Sequence, residues 1–284
     1  MQEKVLESVR HVEGLHTVEL GAGPPLVALH PGPGFDHHTF RPWLDPLAER
    51  SHLVYFDFRG QGASERPADW GVLSPESMVA DVETVRRGLG LNRMVLLGHC
   101  SGCTIALMYA RRYPGRVAGL ILVNGAPAMD FAEAIKPAVA ERATEEQLAA
   151  IARLYCDRYD DEVTFRHDLM QVLPLYFNRA LPGVIDLFLR TTRFSPRAWT
   201  GFRDRYLSTL SCLEWLSEID TPALCIGGAH NVLFPLELCA ARMAKLLPRA
   251  TLHVLEGSGH MPFMEEARAF LGAVSSWLEE LDRS

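Results

Sequence analysis

The chain has 284 residues, 48% of them hydrophobic and 22% charged, with a formal net charge of -7; that length fits one domain with an insertion or two small ones. The acidic balance argues against nucleic acid or an anionic membrane as partner, since both are bound by clustered Lys and Arg. No apolar run approaches the roughly 20 residues that span a bilayer, and no basic stretch followed by an apolar one marks the amino terminus, so a soluble cytoplasmic protein is expected.

Residues 9–12, 16–20 and 25–29 read as strands, with turns at Glu13-Gly14 and Gly21-Ala22-Gly23-Pro24; the first two are antiparallel and lead into a buried third. The segment His30-Pro31-Gly32-Pro33-Gly34 has too much proline and glycine for a helix or central strand and must be a shaped loop. A short helix is expected from about 39 to 49, then a strand at 52–56 ending in Asp57-Phe58-Arg59-Gly60-Gln61-Gly62-Ala63-Ser64. Ser74-Pro75 starts a helix, with serine as N-cap, an apolar stripe at Met78, Val82, Val85 and Leu89, and Gly90 as its end. A strand at 93–97 runs into Gly98-His99-Cys100-Ser101-Gly102, and a helix follows from 101 to 112, ahead of Pro114. This stretch reads as a nucleophile elbow, a strained strand-to-helix corner that lifts its middle side chain above the sheet. With another buried strand at 117–123, the alternation implies a mainly parallel sheet covered on both faces.

Between 127 and about 217 the rhythm changes to helical stretches, such as 144–155 and 182–190, with many charges and aromatics that include Tyr155, Tyr176 and Trp199. This is expected to be a helical cap, 127–217, inserted between two parts of the sheet domain, 1–126 and 218–284, with its aromatics mainly packing cap onto core. A strand at 223–227, a helix at 235–247, a strand at 251–255, the turn Gly257-Ser258-Gly259-His260-Met261-Pro262 and a last helix from 262 to 281 complete the chain. The six cysteines (Cys100, Cys103, Cys156, Cys212, Cys225, Cys239) lack the close pairs of a disulfide framework or zinc site. All but Cys100 are expected to be buried free thiols. No cofactor or metal is implied: His30, His37, His38 and His99 have no carboxylate or cysteine partners at ligand spacing.

Together these pieces resemble the α/β-hydrolase fold over nearly the whole chain. The elbow at Cys100, the His30 to Gly34 loop and the late Gly259-His260 carry the resemblance. The loop looks like the HGGPG oxyanion loop of the proline iminopeptidase branch, and residues 57–64 resemble that branch's D-x-R-G-x-G-x-S. Acyl transfer needs a nucleophile, a base, a group that orients the base and donors for an oxyanion. Cys100 supplies the nucleophile where the family usually has serine, and a helix amino terminus and a nearby imidazole are expected to lower its pKa. His260 is the base, or the imidazolium half of a preformed ion pair. The backbone N–H groups of Ser101 and Gly32 are the expected oxyanion donors, since Pro31 has none. Asn231 stands where a G-x-x-D-x-x-x-P pattern would place the acid, and a second place known for it in this fold holds Asn124. Asp130 or a cap carboxylate is the alternative partner for His260.

The two departures fit each other. A thiol, with an ordinary pKa of about 8.5, needs less help than a serine hydroxyl, so an asparagine that only orients the ring suffices. Papain-like proteases use Cys, His and Asn on an unrelated fold. The opposite reading is a site altered to trap an intermediate, or a decayed one. The resemblance also implies cap carboxylates that bind a substrate amine, for which Glu133, Glu141 and Glu145 are candidates. Three functions follow: hydrolysis of an ester, amide or thioester through a Cys100 thioester; transfer of acyl or aminoacyl groups between carrier-protein or coenzyme A thioesters, as iminopeptidase-like enzymes with cysteine in the elbow do in natural-product assembly; and non-catalytic binding of a small molecule. The expected partner is a small-molecule acyl substrate, or a carrier-protein thioester in the second case, with the oligomeric state open.

Overall fold

The computed structural model describes residues 7–179 and 181–283; the ends of the expected sheet domain at 1–6 and 284, and Ala180 of the expected cap, lie outside them. Strands β1 (Glu7–Val12), β2 (Leu15–Leu20), β3 (Pro25–Leu29), β4 (His52–Phe56), β5 (Met94–His99), β6 (Val117–Val123), β7 (Ala223–Gly228) and β8 (Ala250–Leu255) form one sheet. Its order is β1-β2-β4-β3-β5-β6-β7-β8. β2 pairs antiparallel with β1 and β4, and every other neighbouring pair is parallel. Helices α1 (Pro75–Gly88) and α2 (Ser101–Arg112) precede β6. Between β6 and β7 come α3 (Ala132–Arg142), α4 (Glu145–Cys156), α5 (Glu162–Val172), α6 (Pro182–Thr191) and α7 (Pro196–Phe202); α8 (Ala240–Leu246), α9 (Pro262–Glu265) and α10 (Ala267–Arg283) follow β7.

The period-2 alternation of each strand divides its apolar residues between two cores. Leu26, Ala28, Leu97 and Val123 face one that includes Phe270 and Val274 of α10 and most of the buried residues of α4 and α5. Val27, Leu29, Leu96 and Leu122 face the other, against Met78, Val82 and Val85 of α1 and Ile105 of α2. The helical insertion closes at its base: Ala128 bridges to Ser211, and the Cys212 N–H donates to the Pro127 carbonyl at 2.7 Å.

Three expected helices differ. The one at 39–49 is two short 3₁₀ turns, His37–Thr39 and Asp45–Glu49, because Pro42 and Pro46 remove backbone donors that a continuous helix needs. The one at 235–247 starts only at Ala240, since Cys239 leaves the helical region (φ -118°, ψ -95°) as the chain dips into the core. The last helix breaks at Glu266 (φ -125°, ψ 49°) into α9 and α10. Among the cysteines expected to be buried, Cys156 is exposed at the end of α4.

Candidate active site

The carboxyl ends of β3, β5, β7 and β8 bring together the segments that the sequence separates. Cys100 sits between β5 and α2 at φ 55°, ψ -121°, a backbone conformation costing roughly 1–3 kcal/mol that only the surrounding packing sustains. The flanking glycines make the corner possible: a Cβ on Gly98 would lie 2.6 Å from the Cys103 nitrogen, and one on Gly102 would lie 2.2 Å from the Leu29 carbonyl oxygen. Cys103 is fully buried beneath, its Sγ donating to the Gly98 carbonyl.

The His30 to Gly34 loop is held from below. His30 is buried; its Nε2 accepts the Phe58 N–H, so Nδ1–H donates to the Pro31 carbonyl at 2.8 Å. Pro31 and Pro33 have no N–H, and that of Gly34 is taken by Gln61 Oε1 at 2.7 Å, which leaves Gly32 as the donor that this turn can offer. Ser101 Oγ donates to the Gly32 carbonyl, latching the loop to the elbow. Gly32, Cys100, Ser101 and His260 all line one small cleft.

His260 is buried, and its placement is built from several sides. Its backbone N–H donates to the Tyr176 carbonyl at 2.6 Å, and its carbonyl accepts from Asn124 Nδ2 at 3.0 Å and from His99 Nε2 at 2.9 Å. The two carboxylates at the α9–α10 break brace the same loop: Glu265 accepts the Gly259 N–H at 2.8 Å, and Glu266 accepts the Gly257 N–H and the Ser258 hydroxyl. Phe234 stacks on the imidazole with ring centroids 4.6 Å apart, and Tyr176 meets it edge-on at 5.2 Å.

Asn231, not Asn124, reaches the ring. Its Oδ1 accepts the Phe234 N–H at 3.0 Å, which orients the amide and turns Nδ2 toward His260 Nδ1, also at 3.0 Å. The contact has a direction: Nδ2 donates, Nδ1 accepts, and the ring proton therefore resides on Nε2. That nitrogen is buried and makes no hydrogen bond to the described residues. An aspartate here would do the reverse, accepting from Nδ1–H and leaving Nε2 with its lone pair. Asp130, the alternative partner, is exposed and paired with Arg242 at 2.8 Å.

Electrostatics correct the expected low thiol pKa. Burial pushes Cys100 up to about 12, with the Ser101 backbone opposing in part; the N-terminal dipole of one helix, worth about 0.3–1 kcal/mol, is too weak to reverse it. Burial, aided by neighbouring His99, drives the His260 imidazole well below its usual range. Both shifts favour the neutral forms and so work against a preformed ion pair. His99 itself is pushed down to about 4 by burial and acts as a strut under the His260 carbonyl.

Glu133, Glu141 and Glu145 are exposed and line neither the cleft nor the cavity beyond it. The histidines near the loop do have carboxylate partners, supplied through space: His37 Nδ1 donates to Asp57 at 2.8 Å and His38 Nδ1 pairs with Asp36 at 2.9 Å. His16, His37 and Asp57 come within ligand distance of one another, although the His37–Asp57 pair already occupies groups that a metal would use. Sequence reasoning missed Phe35 and Phe234 as walls of the cleft and weighted Tyr155, Tyr176 and Trp199 toward packing, yet all five line it. The bulky residues beside the two loop motifs were the available signal.

The strand order, the elbow and a histidine after the last strand define an enzyme of the α/β-hydrolase superfamily. The chain belongs to the α/β-hydrolase fold family, whose sequence profile matches residues 24–267. Within it the chain is similar to the proline iminopeptidase of Heyndrickxia coagulans, 25% identical over 93% of both chains, and to that of Lactobacillus delbrueckii subsp. lactis, 29% identical over 91% of both. In three dimensions it matches an alpha/beta fold family hydrolase from Bacillus anthracis with a TM-score of 0.78, 20% identity and 96% and 99% coverage. An esterase from Exiguobacterium antarcticum gives 0.76, 22% identity and 96% and 100% coverage. No helix among the described residues is long and apolar enough to cross a membrane.

Proposed function

We propose that this enzyme takes an acyl group from a thioester onto Cys100 and passes it to a second thiol. The observation that carries this reading is the direction of the Asn231–His260 hydrogen bond. With its proton on Nε2, His260 offers a donor to the cleft rather than a base. Activating water, whose pKa is near 16, requires a base, whereas an incoming thiol of pKa about 8.5 brings its own thiolate fraction at neutral pH.

In the first step Cys100 Sγ bonds to the carbonyl carbon. The oxyanion faces the N–H groups of Gly32 and Ser101, the bond to the donor sulfur breaks, and the Cys100 proton leaves with the donor as its thiol. In the second step the acceptor thiolate attacks, Cys100 leaves as thiolate held by His260 Nε2–H, and it regains a proton from solvent. One thioester is exchanged for another, so the acyl group keeps its activation. The helical segment 127–217 serves as the cap that limits water. Hydrolysis through the same thioester is the second reading, favoured by similarity to proline iminopeptidases over more than nine-tenths of the chain.

Intact mass after brief mixing with acyl thioesters, with Cys100→Ala alongside, tests the proposal. The expected result is an adduct on the parent chain alone, cleared at least a hundredfold faster by added thiol than by water. Clearance by water at a comparable rate would establish the hydrolase instead. No adduct, with small-molecule binding intact in both proteins, would leave a binding protein.

A further inference from the structure

The cleft at Cys100 is small, about 80 Å³, but beside it lies a cavity of about 490 Å³ that no catalytic step uses. Phe35, Met129, Tyr155, Tyr176, Trp199 and Phe234 line both, so the two spaces adjoin across these side chains. The larger space runs between α3 and α4, past Val139 and Ile151, to a floor of Phe165, Leu169 and Val172 on or at the end of α5. Among the described residues lining either space, Lys136 is the one charged side chain, and it stands at the rim, largely exposed, paired with Glu133 at 2.7 Å. No carboxylate faces the interior.

We infer that the acyl group carried by Cys100 is a neutral medium-chain alkyl one, of roughly ten carbons, and not an aminoacyl group; this deepens the acyl-transfer reading and rests on it. The charge argument comes first. An α-ammonium on the acyl group would sit two bonds from the reacting carbonyl carbon, inside the small cleft, where it would lose its water and find aromatic faces but no anion. Cation–π attraction alone does not offset the desolvation of a primary ammonium. Size comes second. Against the ~30 Å³ that a liquid water takes up, a cavity of about 490 Å³ has room for a chain on the order of ten carbons. Apart from Lys136 at the rim its walls are aliphatic and aromatic, so each added methylene leaves water for an apolar surface.

The probe is a set of N-acetylcysteamine thioesters from acetyl to hexadecanoyl, with phenylalanyl and 3-phenylpropanoyl thioesters as a pair that differs in the ammonium alone. Acylation of Cys100, followed by intact mass, is expected to quicken about fourfold per methylene up to about decanoyl and then to fall. The 3-phenylpropanoyl group is expected to load at least a hundredfold faster than phenylalanyl. A flat chain-length profile, or preference for phenylalanyl, overturns the inference. Ala152→Trp, at an exposed position of α4 that also lines the cavity, is expected to move the optimum several carbons shorter; an unmoved optimum also counts against it.

Calorimetric binding of decan-1-ol against butan-1-ol to Cys100→Ala reads the cavity without any acylation. A preference of roughly four thousandfold for decanol is expected from six further methylenes, and equal affinity overturns the inference. Failure of acetyl loading alongside tight decanol binding would sink the acyl-enzyme reading while sparing the cavity's assignment.

Discussion

Replacing Asn231 by aspartate changes one heavy atom of the side chain and reverses the direction of a hydrogen bond. One oxygen of the new carboxylate would still accept the Phe234 N–H, which Asn231 accepts at 3.0 Å, so the loop keeps its shape. The other oxygen would now face His260 Nδ1 and require a proton there, vacating Nε2. Two contributions add: loss of a contact that favours the wrong tautomer, about 1 kcal/mol, and gain of a charge-assisted bond that stabilises the imidazolium, about 1.5–3 kcal/mol. The sum corresponds to about a hundredfold to a thousandfold faster attack of water on the acyl-enzyme. The thiol-transfer rate should change less than tenfold, because the acceptor supplies its own thiolate. The assay is the ratio of free acid to transferred acyl product in the parent and Asn231→Asp proteins, with ¹⁵N NMR of the His260 ring reporting which nitrogen bears the proton. An unchanged partition ratio, or a parent ring already protonated on Nδ1, refutes the reasoning.

Two predictions concern titration. With Cys100 pushed up to about 12 by burial, its thiolate fraction at pH 8 is about 10⁻⁴, against roughly a quarter for an ordinary thiol of pKa about 8.5. Alkylation of Cys100 by iodoacetamide should therefore be about a hundredfold slower than that of a free cysteine thiol in solution, once the greater nucleophilicity of a high-pKa thiolate is allowed for, and rise without a plateau to pH 10; a plateau below pH 7 would reveal an ion pair. His99, fully buried and pushed down to about 4, binds a proton in the unfolded chain below about 6.5 and in the folded chain only near 4, so its stabilising effect is complete above pH 6.5 and lost as pH falls. Between pH 7 and pH 5 the loss is about 2 kcal/mol. Urea denaturation should show that increment disappearing in His99→Gln, which keeps a donor for the His260 carbonyl; an equal loss in both proteins would remove His99 from the account.

What the sequence made legible is what local spacing controls. Gly98 to Gly102 and His30 to Gly34 specify their own backbones through glycine and proline, so the elbow and the loop are readable without a fold. His260 and Asn231 follow from chain order once the alternation of strand and helix is recognised. The direction of the Asn231 bond was not readable, because it depends on which atom the Phe234 N–H claims. The high Cys100 pKa was hidden too: a helix N-terminus is visible in sequence, but the burial that outweighs it comes from side chains more than fifty residues away, such as Tyr155 and Trp199. Asp57 lies 20 residues from His37, a separation that no ligand-spacing rule covers. The break before α10 was missed because Pro262 to Leu281 has the apolar stripe of one helix, while Glu265 and Glu266 turn back to brace the histidine loop.

The Ala128–Ser211 bridge and the Cys212–Pro127 hydrogen bond bring both ends of the helical insertion to one place beyond the carboxyl end of β6. Everything assigned to bond making lies outside that junction, on β3, β5, β7 and β8 or the turns that follow them, whereas α3, α4 and α5 shape the large cavity. The protein is thus a reusable engine with a detachable mould. A graft joined at two neighbouring points can exchange α3, α4 and α5 for another mould, altering what is accepted, provided it returns a carbonyl where that of Tyr176 holds the His260 N–H.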